Sequence, residues 1–308
     1  MSAGNTKDPA TGSTVARHHD GVEPSVSRLI WQRLEAVNAV TYFSDECRDA
    51  YKRLGLRGFW MGYFAGRAAP MGAVSADVVE AAFYNFHPAM VQRAIPDAWT
   101  FATPAATVST RADAAAGAVR RLAPESGEIG VELSALLRRA VAHGDTTDRP
   151  LFAANQAIAA TGDPVADVWQ AATTLREHRG DSHVQLLRDA GLDGLAAHVL
   201  FAATEGVPAD VLRDNRGWSP GDWADATERC RARNLLDADG HPTTAGNDLR
   251  RRIELRTDEL AAQPYATLDD HEIDRLIALA TRIAEPITAS GTVPFPNPIG
   301  LPRPDPPA

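Results

Sequence analysis

The chain has 308 residues, of which 44% are hydrophobic, and its 31 basic and 40 acidic side chains give a formal net charge of −9 at pH 7. The length leaves room for two compact domains, and the acidic balance weighs against nucleic acid as the main partner, because a duplex binder neutralises phosphates with a basic face. No stretch approaches the roughly 18 continuous apolar residues of a membrane helix, and the N-terminus lacks an apolar signal core. We therefore expect a soluble cytoplasmic protein that does not engage a membrane.

The two ends of the chain differ in composition from its middle. Residues 1–23 are polar, show little hydrophobic periodicity and are predicted to be a disordered tail that includes His18 and His19. Residues 293–308 are rich in proline, which is incompatible with a helix or a central strand. This second tail is predicted to be extended, either free or wrapped over the body through Phe295 and Ile299.

Between the tails, apolar residues recur at the three-to-four spacing of helices. Ser44 is predicted to cap a helix that Gly55 ends, and further helices are predicted to start after Ser75 and at His87-Pro88. The other predicted helices cover residues 26–40, 59–69, 133–141, 151–160, 244–260 and 268–287. The two cysteines, Cys47 and Cys230, lack metal-ligand spacing and are predicted to be buried thiols.

One motif occurs twice, in residues 31–99 and again in residues 169–235. The matching stretches are Trp31-Gln32 with Trp169-Gln170, residues 55–58 with 191–194, residues 76–79 with 209–212, and residues 84–88 with 216–220. Their order is the same, and their spacing drifts by only one to three residues. A repeat of this length indicates one supersecondary unit used twice, with a cleft between the two copies.

The end of the second copy resembles a known family. An arginine-rich helix is followed by Asn234-Leu235-Leu236, an acidic turn, a Thr-x-x-Gly stretch at residues 243–246 and a long charged helix. This order resembles the MarR-type winged-helix domain, in which a long helix after the wing drives dimerisation. The chain is also similar, through stretches such as residues 63–70, 83–88 and 175–183, to actinobacterial proteins described only as helix-turn-helix or MarR-like.

The resemblance implies a mainly α fold with two pseudo-symmetric winged-helix-like repeats, each with a short β wing, joined by connecting helices. We assign the first repeat to residues 24–125, the helical connector to residues 126–165, and the second repeat with its C-terminal helices to residues 166–292. The protein is expected to be a monomer or a homodimer.

The helices that would read DNA are acidic in both copies. Residues 219–239 hold five acids against three arginines, and residues 75–99 hold three acids against Arg93 alone. Acids near phosphates oppose the interaction that supplies most DNA affinity. Nucleic acid is therefore an unlikely partner from the sequence, although a ligand-responsive transcription regulator stays as an alternative.

The copies differ most at residues 42–47 and 178–183. Residues 176–183 place six ionisable side chains in eight positions: Arg176, Glu177, His178, Arg179, Asp181 and His183. His178 is a candidate general base that Asp181 or Glu177 could orient, and His183 is a further catalytic candidate. Arg176 and Arg179 could hold a carboxylate, phosphate or sulfate. The alternative is a structural salt-bridge network between the repeats.

Other residues are predicted to contact a ligand in the same cleft. They are His87, Tyr84, Asn85, Arg67, Tyr42 and Arg216. His87 precedes a proline at a helix start, so it could instead be a capping residue, and Arg67 could instead reach a fixed acidic partner. No cofactor motif is present, and no metal site is assigned, because one would need an irregular turn at Gly180 and a third ligand such as His87 or Asp181.

These observations favour a protein that binds a polar or anionic small molecule between two degenerate repeats. The leading hypothesis is a cofactor-independent enzyme of specialised metabolism that uses His and Asp for acid–base chemistry and Arg to stabilise negative charge, in an elimination, cyclisation or hydrolysis. The alternatives are the regulator named above and a protein that sequesters a natural product.

Overall fold

A computed structural model describes residues 22–303 of the chain. Residues 1–21 and 304–308 lie outside that range, so the predicted N-terminal tail, with His18 and His19, falls almost wholly outside the described residues. Helices make up 73% of the described structure, which confirms the mainly α fold. No helix in this range has the length and apolar content needed to cross a membrane.

The described residues contain fifteen α-helices. Those of the first half are α1 (Pro24–Phe43), α2 (Asp45–Arg53), α3 (Gly58–Ala68), α4 (Ala76–Phe83), α5 (Pro88–Gln92), α6 (Ala98–Phe101) and α7 (Pro104–Leu122). Those of the second half are α8 (Ser126–His143), α9 (Pro150–Gln156), α10 (Pro164–Asp189), α11 (Gly194–Glu205), α12 (Ala209–Asp214), α13 (Pro220–Ala232), α14 (Thr244–Ala262) and α15 (Asp270–Ala289). Short 3-10 turns follow α3 and α14.

The largest core lies within a bundle of α1, α7, α8, α10 and α15. Leu34, Leu133, Trp169, Leu276 and Ile283 are each no more than 2% exposed in this core. The 26-residue α10 is the central helix and packs against α1, α7, α8, α9 and α14. Helix α8, from the predicted connector, therefore shares its core with the first helix of each repeated motif.

Two smaller cores flank the bundle, one in each copy of the motif. Phe64 and Ile95 are buried in the first, among α3 to α6, and Leu200 and Cys230 in the second, between α11, α13 and α14. The matching stretches fall on matching elements, since α1, α3, α4 and α5 of the first copy correspond to α10, α11, α12 and α13 of the second. Cys47 and Cys230 are buried free thiols, as predicted.

The loops before α5 and α13 meet where the two copies touch. The N–H of His87 donates to the carbonyl of Arg216 at 2.9 Å, and the indole N–H of Trp218 donates to the carbonyl of Asn85 at 3.0 Å. Gly194 permits this approach, because a Cβ there would lie 2.2 Å from the carbonyl oxygen of Tyr84.

The predicted β wings do not form as paired strands. Across residues 22–303 the sole strand pairing is an isolated bridge between Leu236 and Pro242, in the short turn between α13 and α14. Pro242 has no N–H to extend the ladder. In the first copy the equivalent position is taken by α6 and the turn before it, where Ala98 and Ile95 pack into the core instead.

Candidate functional site

A cavity of about 660 Å³ lies between the two copies of the motif. Its walls come from α1, α3 and the end of α4 in the first copy, from α10, α11 and α14 in the second, and from the C-terminal segment 295–303. We call this space the inter-repeat cavity and residues 293–303 the C-terminal strap. The sequence left open whether this tail is free or wrapped over the body. The strap is wrapped, since Phe295 and Ile299 pack against the bundle core.

One side of the inter-repeat cavity is an ion-pair cluster around Glu177. The guanidinium of Arg67 donates to both carboxylate oxygens of Glu177 at 2.9 Å, and Arg176 reaches the same carboxylate at 3.0 Å. Burial raises the pKa of Glu177, but the charges of Arg176 and Arg67 outweigh burial and hold that pKa at about 2. Glu177 is therefore ionised at neutral pH and holds both arginines in place.

A second ion-pair cluster joins α10 to α14. Arg179 lies 3.1 Å from Glu254 and 3.0 Å from Asp258, and Arg28 of α1 binds the same two carboxylates at 2.7 Å. His183 contacts the hydroxyl of Thr257 at 2.9 Å. Arg176, Arg179 and His183 follow three-and-four spacing on the continuous helix α10 and so share one face, and all three line the inter-repeat cavity.

Arg216 faces the same cavity without a carboxylate. It is 8% exposed and lies over the ring of Phe86, with 4.7 Å between guanidinium carbon and ring centroid. Its guanidinium donates to the carbonyls of Pro298 at 2.6 Å and Asn215 at 3.2 Å. Burial lowers its pKa. Within residues 22–303 no carboxylate lies within 4.0 Å of Arg216, and its Nε has no hydrogen-bond partner.

Several other buried polar atoms of the cavity wall also lack a hydrogen-bond partner within the described range. They are Oε2 of Glu35, Oδ1 of Asn85, Nε2 of His198 and Nε of Arg250. A buried polar atom without a partner costs about 1–3 kcal/mol, so such atoms are uncommon unless a ligand or water satisfies them. The walls also carry apolar side chains, and the volume suits a small molecule.

Comparison with known families identifies the chain. The model of a family described as the helix-turn-helix family matches residues 27–294. The chain belongs to the helix-turn-helix family. No curated protein and no solved structure matches it.

In this helix-turn-helix protein the position of His178 corrects its predicted role. Its ring is 1% exposed, packs edge-on against Phe152 of α9 at 4.8 Å and is not part of the cavity wall. Neither ring nitrogen has a hydrogen-bond partner in the described structure, and burial lowers the pKa of His178 to about 3. Because His178 points away from the face of α10 that carries Arg176 and Arg179, it cannot act as the general base on a ligand there.

Asp181 and His183 are the predicted catalytic side chains that do reach the cavity. Asp181 accepts a hydrogen bond from the N–H of Phe152 at 2.9 Å, and burial, with the neighbouring Glu177, raises its pKa to about 7. Burial lowers the pKa of His183 to about 4, so its imidazole is neutral at pH 7.

The aromatic loop of this helix-turn-helix protein contributes one predicted ligand contact. Asn85 lines the cavity, but Tyr84 donates its hydroxyl to the carbonyl of Leu192, and His87 accepts the N–H of Ala89 at 3.1 Å. Tyr84 and His87 are therefore interface and capping residues, which corrects their predicted role. The ring of His87 packs edge-on against Trp218 at 4.9 Å.

Tyr42 lies outside the inter-repeat cavity and lines a second recess instead. Of the residues in the metal alternative, His183 and Asp181 line the cavity, whereas His87 and His178 do not. The one group of three potential ligands found within residues 22–303 is the exposed set Asp237, Asp239 and His241.

Glu35 and His198 are among the residues of the cavity wall that sequence reasoning missed. Glu35 is 2% exposed on α1, and His198 is 8% exposed on α11. A lone glutamate among apolar residues of a predicted core helix was the available signal for Glu35. His198 had no comparable signal, because a single histidine in an apolar helix is more often a packed core residue.

Proposed function

We propose that this protein binds a small anionic metabolite in the inter-repeat cavity, with a carboxylate, phosphate or sulfate group against Arg216. The observation that carries the proposal is a buried guanidinium that faces a cavity and has carbonyl but no carboxylate partners among the described residues. Burying an uncompensated cation is costly. An anion would supply the missing charge and a strong, geometrically specific hydrogen-bond partner.

The ion pairs around Arg216 support a division of roles among the arginines. Arg67 and Arg176 share Glu177, and Arg179 shares Glu254 and Asp258 with Arg28. These ion pairs fit the alternative of a structural salt-bridge network, and they form a charged wall of the cavity. Arg216 is then the residue left for an anion, with Asn85 and His198 as additional polar contacts.

Catalysis in this cavity is the further part of the proposal. Asp181, with a pKa near neutrality, could exchange a proton with a bound ligand, and neutral His183 could accept one. An elimination, cyclisation or hydrolysis of the anionic ligand needs no cofactor and would use these two groups in place of His178. Sequestration of a natural product is the same binding event without a chemical step.

DNA binding is the second candidate function, and family membership favours it. Two features weigh against it. Helix α5, the reading helix of the first copy, has five residues. The arginines of α13 and its C-cap are engaged within the protein, since Arg229 pairs with Asp193, Arg231 with Glu228, and Arg233 donates to the carbonyl of Gly191.

The binding proposal is tested by thermal unfolding in phosphate and in sulfate. We expect both anions to raise the Tm of the wild-type protein more than that of Arg216→Met, because ligand binding to the native state stabilises it. Sulfate and phosphate also stabilise proteins by exclusion from the surface. Arg252→Met is the matched control, since Arg252 is exposed and has no ion pair within the described residues. Equal Tm increases in all three proteins would contradict the proposal.

A further inference from the structure

A second recess of about 520 Å³ lies between the end of α1, α2 and the start of α3. Tyr63 lines both this recess and the inter-repeat cavity, and the rings of Tyr42 and Tyr63 lie 5.2 Å apart. The function proposed above does not use this recess. Its volume is in the range of small-molecule sites.

The walls of the recess are aromatic. Tyr42, Tyr51, Phe59 and Tyr63 line it, and Phe59 is 44% exposed although it is a large apolar side chain. Gly62 allows the ring of Tyr51 to pack directly on α3, since a Cβ at Gly62 would lie 3.1 Å from that ring. Flat rings on several sides favour a flat aromatic ligand, which can stack on or pack edge-on against them.

The charge of the recess is positive. Arg48, Lys52 and Arg57 line it, against the single acid Asp49. Arg48 pairs with Asp45, whereas Lys52 and Arg57 form no ion pair with any described residue. Arg57 lies over the ring of Phe101, with 4.3 Å between guanidinium carbon and ring centroid, so its head group is held near the recess.

The start of α3 also favours a bound anion. The 11-residue α3 begins at the recess, and its N-cap residue Arg57 makes no side-chain capping bond, so the first N–H groups of the helix are available. Gly58, at φ +71°, allows the turn that starts this helix. Tyr42, which is 8% exposed, places a further polar side chain in the wall of the recess.

We infer that this recess is a second binding site, for a planar aromatic ring that carries a phosphate group, as a nucleoside monophosphate does. The aromatic side chains contact the ring, and the phosphate binds Lys52, Arg57 and the start of α3. Phosphate is favoured over a lone aromatic ring, because two unpaired cations and an uncapped helix start converge on the same rim.

The test measures binding of a fluorescent N-methylanthraniloyl derivative of AMP by anisotropy, with AMP and adenosine as competitors. We expect saturable binding that AMP displaces and adenosine does not. The double variant Lys52→Glu/Arg57→Glu should bind the probe at least about tenfold more weakly. Phe59→Ala, which changes a half-exposed side chain, should also weaken binding while leaving the circular dichroism spectrum unchanged.

Two control variants keep the sites apart. Arg93→Glu/Arg252→Glu makes the same charge change at exposed arginines that have no ion pair within the described range, and it should bind the probe as the wild type does. Arg216→Met should also bind normally, whereas loss of binding in Arg216→Met alone would assign the probe to the inter-repeat cavity and overturn this inference. Equal binding by wild type and Lys52→Glu/Arg57→Glu, or no saturable binding, would also overturn it.

Discussion

Arg216 differs from its neighbours in the kind of partner it has. Arg67 and Arg179 bind carboxylates, whereas the guanidinium of Arg216 donates to the carbonyl oxygens of Pro298 and Asn215. Carbonyl groups satisfy N–H donors but do not neutralise a charge. We therefore assign Arg67 and Arg179 to structural ion pairs and Arg216 to ligand binding.

The Glu177 carboxylate should contribute strongly to stability. Glu177→Gln leaves Arg67 and Arg176 without their shared countercharge in a buried setting, and removing one partner of a buried pair costs about 3–5 kcal/mol. Chemical denaturation measures this change as a lower midpoint with an unchanged slope. Glu46→Gln, at the more exposed pair with Arg121, is the control and should cost less than about 1 kcal/mol. Equal losses would contradict the argument.

His178 should make the protein sensitive to acid. The unfolded chain binds a proton at this residue below about pH 6.5, whereas burial lowers the pKa in the folded protein to about 3. Above about pH 6.5 the imidazole is neutral in both states, so its protonation does not oppose folding. As the pH falls below 6.5, the unfolded chain gains a proton that the folded protein does not bind, and the free energy of unfolding decreases. His178→Leu removes this penalty. We therefore expect the gain in free energy of unfolding of His178→Leu over the wild type to be about 2 kcal/mol larger at pH 5 than at pH 7.

Urea denaturation of wild type and His178→Leu at both pH values checks this prediction. The difference between the two proteins should depend on pH, because only the wild type carries the titrating imidazole. Anion binding should be unchanged in His178→Leu, since the ring lies outside the inter-repeat cavity. A difference that is the same at pH 5 and pH 7 would contradict the assignment of a neutral buried histidine.

Helix spacing predicted part of the site, and tertiary packing decided the rest. On a helix, three-and-four spacing puts Arg176, Arg179 and His183 on one face, and α10 is helical throughout this stretch. Which face meets the cavity could not be read from spacing, because α9, which covers His178 through Phe152, comes from a separate part of the chain.

Most helix boundaries follow from local signals in the sequence. Ser44 caps α2 as predicted, with its hydroxyl accepting the N–H of Cys47 at 3.3 Å, and α14 begins at the predicted Thr244. Helix α7 was missed, although Thr103 before Pro104 is a good start signal and its hydroxyl accepts the N–H of Ala106. The prediction of β wings was wrong for the second copy, because the turn after α13 is too short for paired strands and is bounded by Pro242.

The C-terminal strap should depend on Asn297. This side chain is 3% exposed, donates to the carbonyl of Leu301 at 2.9 Å and accepts the N–H of Leu301 at 3.1 Å. Asn297→Ala removes both hydrogen bonds, so we expect faster hydrogen exchange in residues 295–303 and unchanged exchange in α10 and α15. Exchange in the strap equal to that of the wild type would show that its apolar contacts suffice to hold it.

At the scale of the whole molecule, the repeated motif predicted where the cavity lies. The two copies meet through the loops before α5 and α13, and residues from both line the inter-repeat cavity. The repeat could not predict the central bundle, since α7, α8 and α15 lie outside the matched stretches and yet build its core. Sequence similarity between copies identifies equivalent helices, but not what packs around them.

The net charge of −9 predicts weak interaction with DNA. In a gel-retardation assay with a duplex of about 20 base pairs, we expect no complex at physiological salt, because phosphate binding needs a basic face. Low ionic strength should not change this result. A complex whose affinity falls steeply with added salt would support the regulator candidate and contradict the present account.

The position of a bound anion tests the central claim most directly. Crystals soaked in selenate, a sulfate analogue whose selenium scatters anomalously, should show a peak within hydrogen-bonding distance of the Arg216 guanidinium, inside the inter-repeat cavity. The same soak of Arg216→Met crystals should leave that position without a peak. Selenate found only on the outer surface of the wild-type protein would contradict the claim that this cavity holds an anion.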